Sequence, residues 1–266
     1  PAGRQASSEA QPIALELNNI STAAGHRSID LSVRHGEIVG LYGLVGAGRS
    51  ELAKAIIGAL PVLGGDILRG GEPVKISAPT DAVHRLKIGY VSENRKDEGL
   101  ILQHSVLDNA GITVWRRAGM LSGLLSRAKI KGLTVPFLEK LEVKTPSLSQ
   151  TVGNLSGGNQ QKIAISKWLA AGVDVLIVDE PTVGIDVKSK AYFHQLLFDL
   201  AETGTAILLI TSDMPEMIAL ADRIVVMDDF EVKGAVANDR DSRRVSEAIM
   251  EQIHRRSDTE PAAMTG

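Results

Sequence analysis

Cysteine is absent from the sequence. That excludes disulfides and thiolate metal centres and leaves the chain compatible with a reducing compartment. Long apolar runs are missing too: none approaches the roughly 20 residues that cross a bilayer. Residues 1–11 lack the basic-then-apolar pattern of a signal peptide, so any membrane role is expected to be peripheral. There is no excess of charge of one sign. A formal charge of -3, from 29 Lys and Arg against 32 Asp and Glu, gives no whole-chain electrostatic argument for a nucleic-acid partner. No internal repeat, coiled-coil insertion, zinc module or long basic arm is evident.

What remains is a chain of 266 residues with ordinary apolar content, 44%, enough for a substantial core. Residues 1–12, rich in Ala, Ser, Gly and Gln, read as a linker, and residues 255–266 as a polar tail, leaving 13–254 to fold. Apolar and polar residues alternate over 29–33, and two short strand-like runs flank Gly70 and Gly71, which predicts antiparallel strands near the N-terminus. A different texture follows. Residues 37–42, 173–178 and 205–211 are short apolar runs of the kind buried in a parallel sheet. The first leads into glycines and a helical stretch from Ser50. Phe193, Leu196, Leu197 and Leu200 recur at helical spacing before Gly204, a helix stop. Strand and helix alternate, so an α/β core is expected. Strand signals fade over residues 100–155, which reads as a mainly helical subdomain with Pro136 interrupting one helix.

Two segments carry phosphate chemistry. Gly43, Leu44, Val45, Gly46, Ala47, Gly48, Arg49 and Ser50 follow one another between a predicted strand and a predicted helix, the context of a Walker A loop. The glycines let successive N–H groups and the helix start surround phosphate oxygens, and Ser50 offers a hydroxyl to Mg²⁺. Arg49 stands where Lys is expected and brings a longer, planar fork in place of a compact ammonium. Residues 175–180 form an apolar strand ending in Asp179 and Glu180. Asp179 is placed to hold Mg²⁺ directly or through water, and Glu180 to polarise an attacking water as the catalytic carboxylate. Taken singly, the loop also fits a Gly-rich turn, and the strand fits a buried strand emerging at an acidic turn.

Leu155, Ser156, Gly157, Gly158, Asn159, Gln160 and Gln161, just upstream, resemble the signature of ABC ATPases. Here a hydroxyl, backbone N–H groups and a positive helix end converge on one anion. The resemblance implies a P-loop ATPase core of ABC type with an antiparallel β subdomain and a helical subdomain, ATP and Mg²⁺ as ligands, and a signature that meets the γ-phosphate bound by a second ATPase domain. It also makes residues 181–186 the D-loop that crosses the dimer interface, with Asp186 at its acidic position.

Three departures accompany it: Arg49 for Lys, Glu93 for the Gln of the Q-loop region, and Ser212 for the switch His. No aromatic lies over residues 20–25, where many relatives stack the adenine. With the run 92–100 and the Asn-Gln-Gln ending of the signature, these features resemble the C-terminal half of tandem monosaccharide-importer ATPases. That resemblance implies a peripheral location on the cytoplasmic face of the membrane, membrane permease subunits and a sugar-binding protein as partners, and no nucleic acid. It further implies a degenerate own site beside an intact signature that serves the partner. Nucleoside-importer ATPases share a similar signature, and a regulatory nucleotide-binding module without turnover is the alternative of another class.

Overall fold

The computed structural model describes residues 10–119 and 125–254, so the linker reading up to residue 9, residues 120–124 of the helical insertion and the tail reading of 255–266 lie outside the described residues. The chain opens with β1 (Ile13–Thr22) and β2 (Ile29–Arg34), then β3 (Ile38–Gly43), α1 (Arg49–Ile56), β4 (Val62–Arg69), β5 (Glu72–Val74), α2 (Pro79–His84) and β6 (Ile88–Val91). A single π-helical turn, Arg95–Gly99, leads into α3 (Val106–Gly111), α4 (Trp115–Ala118), α5 (Arg127–Lys140) and α6 (Gly157–Ala171). The core resumes with β7 (Val175–Asp179), α7 (Val187–Glu202), β8 (Ala206–Ile210), α8 (Met214–Leu220), β9 (Arg223–Asp228), β10 (Glu231–Ala237) and α9 (Ser242–His254).

Period-2 patterning separates two sheets. In β2, Ile29, Leu31 and Val33 point inward while Asp30 is exposed, as befits a sheet with one wet face. β1, β2, β4 and β5 form that antiparallel sheet, in the order β2-β1-β4-β5. β3, β7 and β8 are buried at every position and belong to the second sheet, ordered β10-β9-β3-β8-β7-β6. Alternate residues of its strands feed opposite layers. Leu41, Ile177 and Leu208 pack with Leu15 and Leu17 of β1 and with Leu52 of α1. Leu176, Val178 and Leu209 pack with Phe193, Leu196, Leu197 and Leu200 of α7.

The expected parallel sheet is in fact mixed, because β10 pairs antiparallel with β9 through a two-residue turn. Both turn residues, Asp229 and Phe230, have positive φ, the geometry that matches strand twist in a tight hairpin. A second difference concerns Pro136, which does not interrupt its helix: α5 runs through it. Pro136 and Gly132 one turn earlier are both exposed, so the carbonyl deprived of its partner is reachable by water. The helical part is tied to the core by α6, whose Ile163 and Ala164 pack with Leu100, Val106, Leu138 and Val152.

Candidate functional site

Strand direction assembles the site. β3, β8, β7 and β6 lie side by side and parallel, so the segments after their carboxyl ends emerge along one sheet edge. Those segments are the loop from Gly43, residues 211–212, residues 179–180 and residues 92–93. Such an edge is where open α/β sheets bind ligands.

The phosphate-loop candidate joins β3 to α1 as expected. Gly46 and Gly48 have φ of 87° and 90°, a region that disfavours other residues. A side chain on Gly48 would also begin 2.5 Å from the Phe230 ring and 2.9 Å from His26 Nε2. These two residues brace the loop from behind, which the sequence reading missed. His26 Nε2–H donates to the carbonyl of Gly48 at 2.8 Å, and Nδ1 accepts from the Thr22 hydroxyl at 2.6 Å, a pairing that fixes the neutral tautomer. Burial is the main cause that lowers the His26 pKa. The Phe230 amide donates to the carbonyl of Ala47, and its ring meets His26 edge-on. Leu44 and Val45 are exposed at the rim of the loop.

Asp179 is buried at the end of β7. Its Oδ2 accepts from Tyr90 Oη at 2.9 Å, whereas Oδ1 is buried with no hydrogen bond. Burial pushes its pKa up to about 6, against the pull of Ser50 and Tyr90 and with the help of the negative charges of Glu93 and Glu180. An orphaned carboxylate oxygen beside the Ser50 hydroxyl is an oxygen donor set that fits Mg²⁺, whose remaining positions are commonly filled by phosphate and water.

Glu180 has φ of 46°, left-handed backbone for a non-glycine residue. This kink turns its carboxylate away from β7: Oε1 accepts from the Ser212 amide at 2.7 Å and lies 4.0 Å from Arg49 Nη1. Ser212 thus meets Glu180 through its backbone N–H. Arg49 is itself buried, and its Nη1 makes no hydrogen bond. Behind Glu180 stands Glu216, a buried carboxylate that was not foreseen. It accepts from Thr211 at 2.7 Å and Thr182 at 2.9 Å, and His194 Nε2 lies 2.7 Å away. Burial raises its pKa, but the hydrogen bonds from His194, Thr211 and Thr182, with the charge of Lys190, outweigh that and keep it low.

The signature candidate forms the start of α6. Ser156 caps the helix, accepting from the Asn159 amide and from Asn159 Nδ2. Gly157 and Gly158 are wedged. A side chain at Gly157 would begin 3.0 Å from the carbonyl of Gly184, and one at Gly158 would begin 2.6 Å from Ser189 Oγ. Leu155 is partly buried, and Gln160 folds back so that Nε2 donates to the carbonyls of Val152 and Leu155. Ser156, Asn159 and Asp186 line one cleft of about 330 Å³ with Lys144, Lys162 and Lys188. Asp186 caps α7 through Ser189. The site residues therefore fall into two groups: Gly43 to Ser50, Glu93, Asp179, Glu180 and Ser212 around one sheet edge, and Ser156, Gly158, Asn159 and Asp186 in the second cleft, with Leu155, Gly157 and Gln160 at the base of the same helix start.

Comparison with known proteins identifies the family. Residues 26–183 match the ABC transporter family. The chain is 41% identical over 230 residues to the ribose import ATP-binding protein RbsA of Oceanobacillus iheyensis, covering 85% of this chain and 45% of that protein. It is 40% identical over 225 residues to the arabinose import ATP-binding protein AraG 2 of Burkholderia ambifaria, covering 85% of this chain and 43% of that one. It thus spans about half the length of these curated relatives. Among solved structures it shares its fold with a dimeric ATP-binding cassette in a post-hydrolysis state bound to ADP and Pi, with a TM-score of 0.71 at 22% identity, covering 84% of this chain and 98% of that one. Motif order, fold and sequence identity together place the chain in the ABC transporter family, as an ATP-binding domain related to those of ribose and arabinose import proteins.

Proposed function

We propose that this chain is one ATP-binding half of a monosaccharide importer's ATPase, with a weakened site of its own and a signature that completes the site of a second domain. The observation that carries this reading is the pairing of Arg49 with Glu180, 4.0 Å apart, which sets the phosphate-loop cation against the candidate catalytic carboxylate. An arginine fork is longer than the ammonium it replaces, and Glu180 is already held by the Ser212 amide. Both groups have to rearrange before they serve a bound triphosphate. The signature face needs no such change: Ser156 and the first turn of α6 present a hydroxyl and a positive helix end to one cleft, where three lysines outnumber the carboxylates of Glu142 and Asp186.

In this reading, residues 43–50 bind the phosphates of ATP, Ser50 and Asp179 hold Mg²⁺, and Glu180 orients water. Bound there, Mg²⁺ would supply charge neutralisation for the nucleotide's phosphates. Head-to-tail pairing sets Ser156 and Asp186 against the partner's nucleotide, and closure of the pair pulls on membrane permease subunits at the cytoplasmic face. The sugar is delivered by a binding protein and never meets this domain. The length of the relatives, about twice that of this chain, supports a second ATPase domain in the same polypeptide.

The test is phosphate release from MgATP by the chain alone across a range of protein concentrations, and by the assembled importer carrying Ser156→Arg or Glu180→Gln. Slow release by the chain alone is expected, with Ser156→Arg the more damaging substitution in the assembly. Loss of one oxyanion donor costs about 10²–10³ in rate, and the new side chain adds bulk. Rapid turnover by the isolated chain at low concentration would overturn the weak-site reading. Full activity of Ser156→Arg beside an inactive Glu180→Gln would reverse the assignment of the two sites.

A further inference from the structure

The segment after β6 touches three other parts of the molecule at once. Glu98 Oε1 accepts from Lys54 Nζ of α1 at 2.8 Å, and Glu98 Oε2 accepts from Ser92 Oγ at 2.6 Å. Asn94 Nδ2 donates to Asp97 Oδ2 at 2.8 Å and closes the turn. The carbonyl of Gly99 accepts from Lys167 Nζ of α6. Arg95 stands in the middle of this bracket and reaches out of it. Its Nη1 donates to the carbonyl of Val183 at 2.9 Å and its Nη2 to the carbonyl of Gly184 at 3.3 Å. That same Nη2 lies 2.9 Å from where a side chain on Gly157 would begin.

We propose that Arg95 is a positioning residue for the surface presented to a second ATPase domain: its guanidinium fixes the backbone at residues 183–184 against the first turn of α6. This rests on the reading that the signature and residues 181–186 face a second domain. Arginine suits the task because its planar fork can donate to two carbonyls at once, whereas an ammonium is a point donor on a flexible stem. Gly184, at φ of 70°, turns the chain so that successive carbonyls converge on one guanidinium. Gly157 leaves room for it, and on the other flank Gly158 leaves room for Ser189, beside the Asp186 cap. The two loops that meet the partner are thereby held as one preformed unit. Glu98 and Lys54 connect that unit to the helix that starts at the chain's own phosphate loop.

The experiment is hydrogen exchange on the chain, comparing the native sequence with Arg95→Ala, Arg95→Lys and, as a control in the same turn, Lys96→Ala. MgATP affinity is measured in parallel. In Arg95→Ala, the amides of Val183 and Ile185, which close turns onto Glu180 and Thr182, and that of Gln160 in the first turn of α6 are expected to exchange at least about tenfold faster. Arg95→Lys should recover part of the protection and Lys96→Ala all of it, with MgATP affinity unchanged within about twofold in every variant. Unchanged exchange at residues 183–185 in Arg95→Ala overturns the proposal. Equal acceleration in β3 and β8 overturns it as well, because Arg95 would then act on overall stability. A loss of MgATP affinity with the D-loop still protected assigns Arg95 to nucleotide instead. If the native chain binds no MgATP, the proposed function fails, while the exchange data still judge Arg95.

Discussion

Replacing Lys167 by Met tests the energetics of the junction between α6 and the Arg95–Gly99 turn. Lys167 is buried on α6, its ammonium over the Trp168 ring and donating to the carbonyl of Gly99. Desolvation lowers its pKa from 10.5 to about 8. The unfolded chain therefore holds this proton more tightly than the folded one, so stability rises with pH between the two values. At pH 7 the buried charge costs about 3 kcal/mol relative to the deprotonated amine. Met, one atom shorter, keeps the unbranched apolar stem and removes the charge. It also removes a hydrogen bond to a carbonyl, worth about 1 kcal/mol net. Loss of the ammonium's contact with the Trp168 ring subtracts about 0.5–1 kcal/mol more, so the variant should be more stable at pH 7 by about 1–2 kcal/mol. Urea unfolding at pH 7 and pH 9.5 separates the terms. The native chain should gain about 2 kcal/mol on the variant over that interval, as the folded-state lysine loses its proton first. Other lysines and tyrosines titrate in both proteins and cancel in the comparison. A stability difference that is the same at both pH values would refute the assignment of a desolvated ammonium to this site.

Arg49→Lys should restore a compact charge to the phosphate loop and raise phosphate release by the isolated chain by roughly tenfold, short of full activity because Ser212 is unchanged. Equal or slower release than the native chain would show that Arg49 is not what limits the site. His26 predicts an acid-sensitive phosphate loop. Burial holds its folded pKa below 6.5, so stability is present above 6.5 and is lost as pH falls from 6.5 through the lower folded value. Thermal unfolding followed from pH 7.5 downward should show this loss in the native chain and less of it in His26→Gln; parallel curves would exclude His26 as a contributor.

Much of the fold was legible because short apolar runs and glycines report burial and turns locally. The strands that start at Ile38, Val175 and Ala206 were each signalled by a few consecutive residues, and Ser156 announced its helix by the capping pattern alone. What escaped were contacts set by topology. His26 lies 22 positions before Gly48, and Phe230 comes from a hairpin near the end of the chain; no periodicity links either to the phosphate loop. The same holds for Glu216, whose partners Thr182, His194 and Thr211 lie on three different segments. Pro136 was misjudged for a different reason. A proline breaks a helix by stranding a carbonyl, and here that carbonyl belongs to an exposed turn.

The departures from the usual ATPase residues also change meaning once their surroundings are known. From sequence, Ser212 reads as a lost side chain, yet its backbone N–H makes the shortest hydrogen bond to Glu180, at 2.7 Å. The catalytic-type carboxylate is thus held by backbone on one side and faced by Arg49 on the other. A left-handed backbone at Glu180 costs about 1–3 kcal/mol, and it persists only where the surroundings over-determine it. Those surroundings are the Ile210 carbonyl, which accepts from the Glu180 amide, and Thr211, whose hydroxyl donates to the buried Glu216 at 2.7 Å and lies 3.4 Å from Glu180 Oε2. The arrangement directs Glu180 toward protein donors. Under the proposed weak-site reading, that accounts for a retained carboxylate: it holds the strand ends and the start of the D-loop in register for a partner domain even when it activates water poorly.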